Sequence, residues 1–228
     1  MVKLNPGVIV FDMDGVLLDV SESYRETVVQ TIEHFTGKRI PREEIQEYKN
    51  RGGFNNDWLL CHTHCAKEGV EVPYQEVVDF FNHLFFEEGL IERERWLPKP
   101  GFLEGLAARC DLAIFTGRNM REATTTLDRE GYRHHFFLVT VDDLNNDKPH
   151  PEGLLKIAAR HSGRELLYIG DTVDDARAAR AAGVTFVGIA GHENPKQEEL
   201  ARLLAAEGAV AVLDNINRLE DVLCAARP

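Results

Sequence analysis

Beyond residue 110 the chain repeats one pattern, a short β-branched and aromatic run followed by a segment long enough for a helix. The runs are "LAIFT" (112–116), "FFLVT" (136–140), "LLYIG" (166–170), "TFVGIA" (185–190) and "AVAVL" (209–213). Strands that are apolar on both faces must be covered on both faces. The alternation with helices therefore predicts an α/β fold, a doubly wound parallel sheet, and "VIVF" (8–11) belongs to the same sheet. Between residues 20 and 96 no strand pattern appears. Four helical segments fill that stretch. In the first, "SESYRETVVQTIEHFTG", Ser21 is the expected N-cap, Tyr24, Val28, Ile32 and Phe35 recur at helical spacing, and Gly37 ends the run. The others are "PREEIQEYKN", "NDWLLCHTHCAKEG" and "YQEVVDFFNHLFFEEG", after which "LPKPG" (97–101) punctuates the chain. The predicted organisation is a core of residues 1–19 and 97–228 with an inserted all-α cap, residues 20–96.

The 228 residues carry a formal net charge of −12, with Lys and Arg scattered rather than striped. That charge argues against a nucleic acid or an anionic membrane as partner, so any anionic ligand must be held by local cations. The opening "MVKLNPGVIVF" fits neither a signal peptide nor a membrane span, and a cytoplasmic protein is the expectation. Four cysteines, Cys61, Cys65, Cys110 and Cys224, are too few and too unevenly spaced for a disulfide framework. In "CHTHC" Cys61 and Cys65 share one helical face while His62 and His64 diverge from it, so the four do not converge on one ion.

Open parallel sheets bind ligands beyond the carboxyl ends of their strands. In this chain those ends are polar. "IVFDMDGVLLD" carries Asp12 and Asp14 out of the first strand, the next gives Thr116, Gly117 and Arg118, and a later one gives Gly170 and Asp171, followed by Asp174 and Asp175. Lys148, in "DKPHPEG", is placed to reach the same crevice. Buried carboxylates need a cation, and the oxygen-only set Asp12, Asp171 and Asp175 suits Mg²⁺. Such a site suits attack on a phosphate monoester, whose oxygens must be neutralised before an anionic nucleophile can approach.

"FDMDGVLLD", "FTGRN", "DKPHPEG" and "GDTVDDARAARAAG" resemble, in order, spacing and strand placement, the four signature motifs of the haloacid dehalogenase superfamily. The helical insertion resembles the α-helical cap of its phosphoglycolate phosphatase and β-phosphoglucomutase-like subfamily, and the core implied is Rossmann-like. The resemblance implies a Mg²⁺-dependent phosphatase acting on a small phosphorylated metabolite. Asp12 is then the nucleophile that becomes an aspartyl-phosphate, and Asp14 the acid and base, its backbone carbonyl joining Asp12, Asp171 and Asp175 on the metal. Thr116 and Lys148 complete the catalytic set. Gly117 and Arg118 lie beside the substrate, Arg118 with freedom to face solvent. Asp174 is expected to be a helix-start charge, Asp19 a structural residue at the hinge into the cap, and Asp143 at most a support for Lys148.

The cap loop from Lys49 to Asp57 is expected to reach the substrate. Lys49 and Arg51 suit an anionic tail and Asn55 and Asn56 suit hydroxyls, with "NND" read equally well as a helix cap. The competing functions are a phosphomutase of the β-phosphoglucomutase type and a phospho-receiver or other non-catalytic binding protein. Receivers place the acceptor aspartate in a later strand and lack a helical insertion. Mutases of the subfamily resemble "DxxExH" after the first motif, whereas here "DVSESY" puts Tyr24 at the histidine position, which favours water as the acceptor. The assembly expected is a monomer or homodimer.

Overall fold

The structure, a computed structural model, describes residues 3–224. Within them eight strands run in chain order as β1 (Val8–Phe11), β2 (Leu18–Asp19), β3 (Arg95–Trp96), β4 (Asp111–Phe115), β5 (Phe137–Val139), β6 (Leu166–Gly170), β7 (Thr185–Ile189) and β8 (Ala211–Leu213). Six of them form one sheet in the order β5-β4-β1-β6-β7-β8, every pair parallel. β1 sits in the middle and is buried along its whole length. Its odd and even residues divide between two cores, Ile9 and Phe11 on one face and Val8 and Val10 on the other. This two-residue period is why the run must be apolar throughout.

Among the described residues there are nine α-helices: α1 (Tyr24–Thr36), α2 (Arg42–Arg51), α3 (Asp57–Lys67), α4 (Tyr74–Asn82), α5 (Phe102–Ala107), α6 (Met120–Glu130), α7 (Glu152–Arg160), α8 (Val173–Ala182) and α9 (Gln197–Ala206). The first four lie between β2 and β3, and none of that stretch joins the six-stranded sheet. No helix among the described residues is long and apolar enough to cross a membrane.

Two details differ from the sequence expectation. The position before α1 is held by Ser23, without a side-chain cap, because Ser21 is engaged elsewhere: its N–H and hydroxyl donate to Asp19 Oδ1 at 3.0 and 2.6 Å. The second is the two-residue antiparallel ribbon of β2 and β3, which ties together the chain's exit from the core and its return. Arg95 pairs with Asp19 Oδ2 at 2.6 Å across it. Burial works against the charge of Asp19, but Ser21 and Arg95 overcome it and hold the carboxyl below its usual range. Strands this short carry no periodicity to read.

The helical block is also fastened to the sheet's helices. Asp174, in the first turn of α8, accepts the Gly53 N–H with both oxygens, at 2.8 and 3.0 Å. Asn50 donates to Glu199 at 3.1 Å, and Lys196 pairs with Glu47 at 2.9 Å. Gly52 has φ of +79°, and a Cβ there would collide with Arg177 and Asp174, so the latch needs glycine.

Candidate active site

Beyond the carboxyl end of β1 a cavity of about 80 Å³ separates the strand ends from the helical block. Asp12, Asp14, Gly117, Arg118 and Asp171 line it from the sheet, and Lys49, Asn55 and Asn56 from α2 and the loop after it. The Asp12 carboxylate is placed by the strand it directly follows, and the Asp12 N–H donates to Ile169 O at 2.8 Å. The chain then turns at Gly15, where φ is +72° and a side chain would overlap the Asp171 carboxylate. Glycine is required there on both counts.

Lys148 lies 2.8 Å from Asp12 Oδ1 and 2.8 Å from Asp175 Oδ1, with its own side chain 1% exposed. Both partners raise its pKa against the effect of burial. Asp175 is saturated. Its Oδ1 also accepts the Tyr168 hydroxyl at 2.5 Å, and its Oδ2 accepts the hydroxyl and N–H of Thr172 at 2.6 and 3.0 Å. Thr172 and Asp175 form a capping box at the start of α8, which is how the helix fixes the aspartate that fixes the lysine. Burial opposes ionisation of Asp175, but Lys148 and the hydrogen bonds prevail and its pKa is lowered.

Asp171 is in the opposite condition. Its carboxylate accepts no hydrogen bond among the described residues, and burial together with Asp12 and Asp175 pushes its pKa well up. Burial likewise pushes Asp12 up to about 7 against the pull of Lys148. Asp12, Asp171 and Asp175 each offer an oxygen within 4.8 Å of the others. Hard oxygen donors gathered this closely, with Asp12 and Asp171 given too little positive charge to keep them ionised, fit a hard divalent cation. Asp12 and Asp171 have the oxygens to give it. Asp175, the third member of the cluster, also holds Lys148, Tyr168 and Thr172 with its oxygens, so it anchors the lysine at the same site.

Thr116 is buried at the end of β4, where its hydroxyl accepts the Arg118 N–H at 3.2 Å. Arg118 departs from expectation. It is 1% exposed, its Nε and Nη2 donate to Asp14 Oδ1 at 2.9 and 2.5 Å, and its guanidinium lies 4.9 Å from the centre of the Tyr24 ring. It therefore binds the Asp14 carboxylate rather than facing solvent. Asp143 accepts the Thr140 N–H at 2.9 Å and, among the described residues, makes no hydrogen bond or ion pair with Lys148. Asp174, read as a helix-start charge, is the latch on Gly53.

Of the four cap residues, Lys49 enters the cavity but pairs there with Asp57 at 2.7 Å. Asn55 packs on the Gly117 backbone so closely that a Cβ at Gly117 would overlap it. Asn56 caps α3, accepting the Leu59 N–H at 3.0 Å, while still lining the cavity. Arg51 does not join them, since its side chain is 68% exposed and sits near Glu47. Two residues apart on a helix point about 200° apart, so Lys49 and Arg51 cannot both face inward.

Sequence reasoning missed Arg25, Trp58, Glu122 and Asp147, all in the cavity wall. Glu122 was visible only as the third residue after Asn119 in a capping box, a pattern that signals a helix start and nothing chemical.

This constellation has counterparts. The family model for haloacid dehalogenase-like hydrolases matches residues 6–183. The chain belongs to the haloacid dehalogenase-like hydrolases. A similar curated protein is an imidazoleglycerol-phosphate dehydratase of Phytophthora nicotianae, 32% identical over 217 residues. The match takes in 89% of this chain but only 47% of that relative, so the chain spans about half of its length. A phosphoglycolate phosphatase of Pseudomonas fluorescens is 25% identical over 226 residues, 94% of this chain and 78% of the relative. Among solved structures, a conserved haloacid dehalogenase-like protein of unknown function from Agrobacterium tumefaciens superposes with a TM-score of 0.74 at 20% identity, covering 95% of this chain and 96% of its own. At that identity the likeness speaks for the fold.

Proposed function

We propose that this hydrolase is a Mg²⁺-dependent phosphatase that cleaves a small phosphate monoester through an aspartyl-phosphate on Asp12. The observation that carries the reading is the flanking of Asp12 by Lys148 at 2.8 Å and by the unsatisfied Asp171, with Asp14 two residues on at the cavity wall. Asp12, Asp171 and the Asp14 carbonyl would hold the ion, which when bound neutralises phosphoryl oxygens and keeps Asp12 ionised. Lys148 then offers its ammonium to the same oxygens. An Asp12 oxygen attacks phosphorus as the ester oxygen leaves with a proton from Asp14. Asp14, now a carboxylate, takes a proton from the water that cleaves the acyl-phosphate, and phosphate departs. The residues 20–96 act as the cap that excludes bulk water, with the β2–β3 ribbon as hinge.

Tyr24 supports water rather than a second sugar hydroxyl as acceptor. Burial, reinforced by Glu122, raises its hydroxyl well above the usual tyrosine range, so it stays neutral and has no acid–base part to play. The small cavity and its cap side chains of both signs support a compact leaving group. The names of the relatives supply the first members of a panel, phosphoglycolate and imidazoleglycerol phosphate, to which other small phosphate esters are added. Phosphate release is measured with Mg²⁺ and with EDTA. Mg²⁺-dependent release from one or more esters supports the proposal, and release that is indifferent to EDTA, or none from any ester, contradicts it.

A further inference from the structure

We infer that Glu94 and Arg118 are positioning residues that hold the Asp14 carboxylate for proton transfer and link its orientation to the hinge. This rests on the reading of Asp14 as the general acid of a phosphatase. Every arm of Arg118 is occupied. Besides the two donations to Asp14 Oδ1, Nη2 reaches Glu94 Oε1 at 2.6 Å and Nη1 reaches Thr126 Oγ1 at 2.9 Å. The Thr126 hydroxyl donates to Glu94 Oε2 at 2.6 Å, and Arg129 Nη2 binds that same oxygen at 2.9 Å. Arg129 is anchored in turn on Ile91 O at 2.9 Å. The Glu94 side chain is 0% exposed.

Such a cluster is poorly explained as stabilisation, because taking buried charges out of water offsets most of what their attraction returns, and an apolar replacement of equal shape usually holds as well. What charges add is direction. The guanidinium is a planar fork, so fixing it on Glu94 and Thr126 fixes the line along which it grips Asp14. The grip is on Oδ1 alone. Oδ2 accepts no hydrogen bond among the described residues, and the Asp14 side chain is 30% exposed, so the second oxygen is left for the substrate's leaving group. Glu94 directly precedes β3, whose Arg95 pairs with Asp19 across the hinge ribbon. A rotation of the ribbon therefore moves the anchor on which the acid depends.

The test separates proton donation from folding. General acid catalysis matters most for a poor leaving group, and kcat/KM reports only the steps up to release of the first product. Wild type, Glu94→Gln, Thr126→Val and Thr126→Ser are compared on 4-nitrophenyl phosphate, whose leaving group needs no proton, and on phenyl phosphate, whose leaving group does. We expect Glu94→Gln and Thr126→Val to lose roughly tenfold or more in kcat/KM on phenyl phosphate and less than about threefold on 4-nitrophenyl phosphate, with Thr126→Ser close to wild type on both. Thr126→Val keeps the shape of threonine and Thr126→Ser keeps its hydroxyl, so the pair decides the matter even if Glu94→Gln does not fold. Equal losses on both esters, or no loss on either, overturn the inference. A wild type that releases phosphate from neither of these esters nor from any ester of the panel above overturns the phosphatase reading beneath it, a different result from an active enzyme whose losses run in parallel.

Discussion

Glu122 should make the protein less stable as the pH rises through neutrality, and Glu122→Gln should abolish that loss. The residue is 2% exposed, one carboxyl oxygen accepts the Asn119 N–H at 3.0 Å, and the other is buried with no hydrogen-bond partner among the described residues. Burial pushes its pKa from the ordinary 4.5 up to about 7, against the pull of Arg118 and the Asn119 N–H. Since the folded value lies above the unfolded one, the folded protein keeps a proton between about pH 4.5 and about pH 7 that the unfolded chain has released. The associated stability is complete below that window and lost on rising through it. At about 1.4 kcal/mol per unit, the loss between pH 5 and pH 8 comes to roughly 2–3 kcal/mol. Glutamine does not titrate. Its NH₂ replaces the orphaned oxygen with an orphaned donor at a cost of about 1–3 kcal/mol, but that offset is the same at every pH. Urea unfolding at several pH values in metal-free buffer, wild type against variant, isolates the slope, because all other titrating groups are shared. In thermal unfolding the same change corresponds to a relative gain for the variant of roughly 5–10 °C between pH 5 and pH 8. A difference in stability that is flat with pH would refute the reasoning, and one that falls as pH rises would reverse it.

Three further outcomes follow from the geometry. Lys148→Ala leaves the buried Asp12 and Asp175 facing each other without their cation, so steady-state kinetics should show a loss of at least about 100-fold in kcat/KM and urea unfolding a loss of about 3–5 kcal/mol. Asp174→Asn halves the acceptors on the Gly53 N–H, and the weakened latch should raise KM by roughly three- to tenfold with kcat little changed, while amide exchange at Gly53 quickens. Gly15→Ala meets both a positive φ and the Asp171 carboxylate, and should lose activity even where circular dichroism shows a folded protein.

The strand ends were legible in the sequence because an apolar run that closes on Asp12 and Asp14 has few physical solutions, and two later strands, β4 and β6, lead into polar groups at the matching end. Arg118 was not. Its partner Glu94 is 24 residues away in sequence, in a stretch that reads only as the end of a helical block, so nothing local says that the guanidinium turns inward. Asp175 shows the same limit in another form. Its place in the motif marks it as part of the metal site, and only the geometry of Tyr168, Thr172 and Lys148 reveals that its oxygens also anchor the lysine. On the cap the helix period separates Lys49 from Arg51, a distinction available once the helix is known to include both. The neighbouring Asn55 and Asn56 both line the cavity while Asn56 alone also caps a helix, and no period predicts that difference.

The central claim is that Asp12 becomes phosphorylated. The direct measurement is an acid quench of the enzyme during turnover of 4-nitrophenyl phosphate with Mg²⁺, followed by mass spectrometry of the peptides. The account predicts a phosphoryl adduct on the peptide carrying Asp12, formed no more slowly than steady-state turnover and absent from an Asp12→Asn variant that folds normally and releases no phosphate. An adduct on another residue, or sustained hydrolysis by Asp12→Asn, would contradict it.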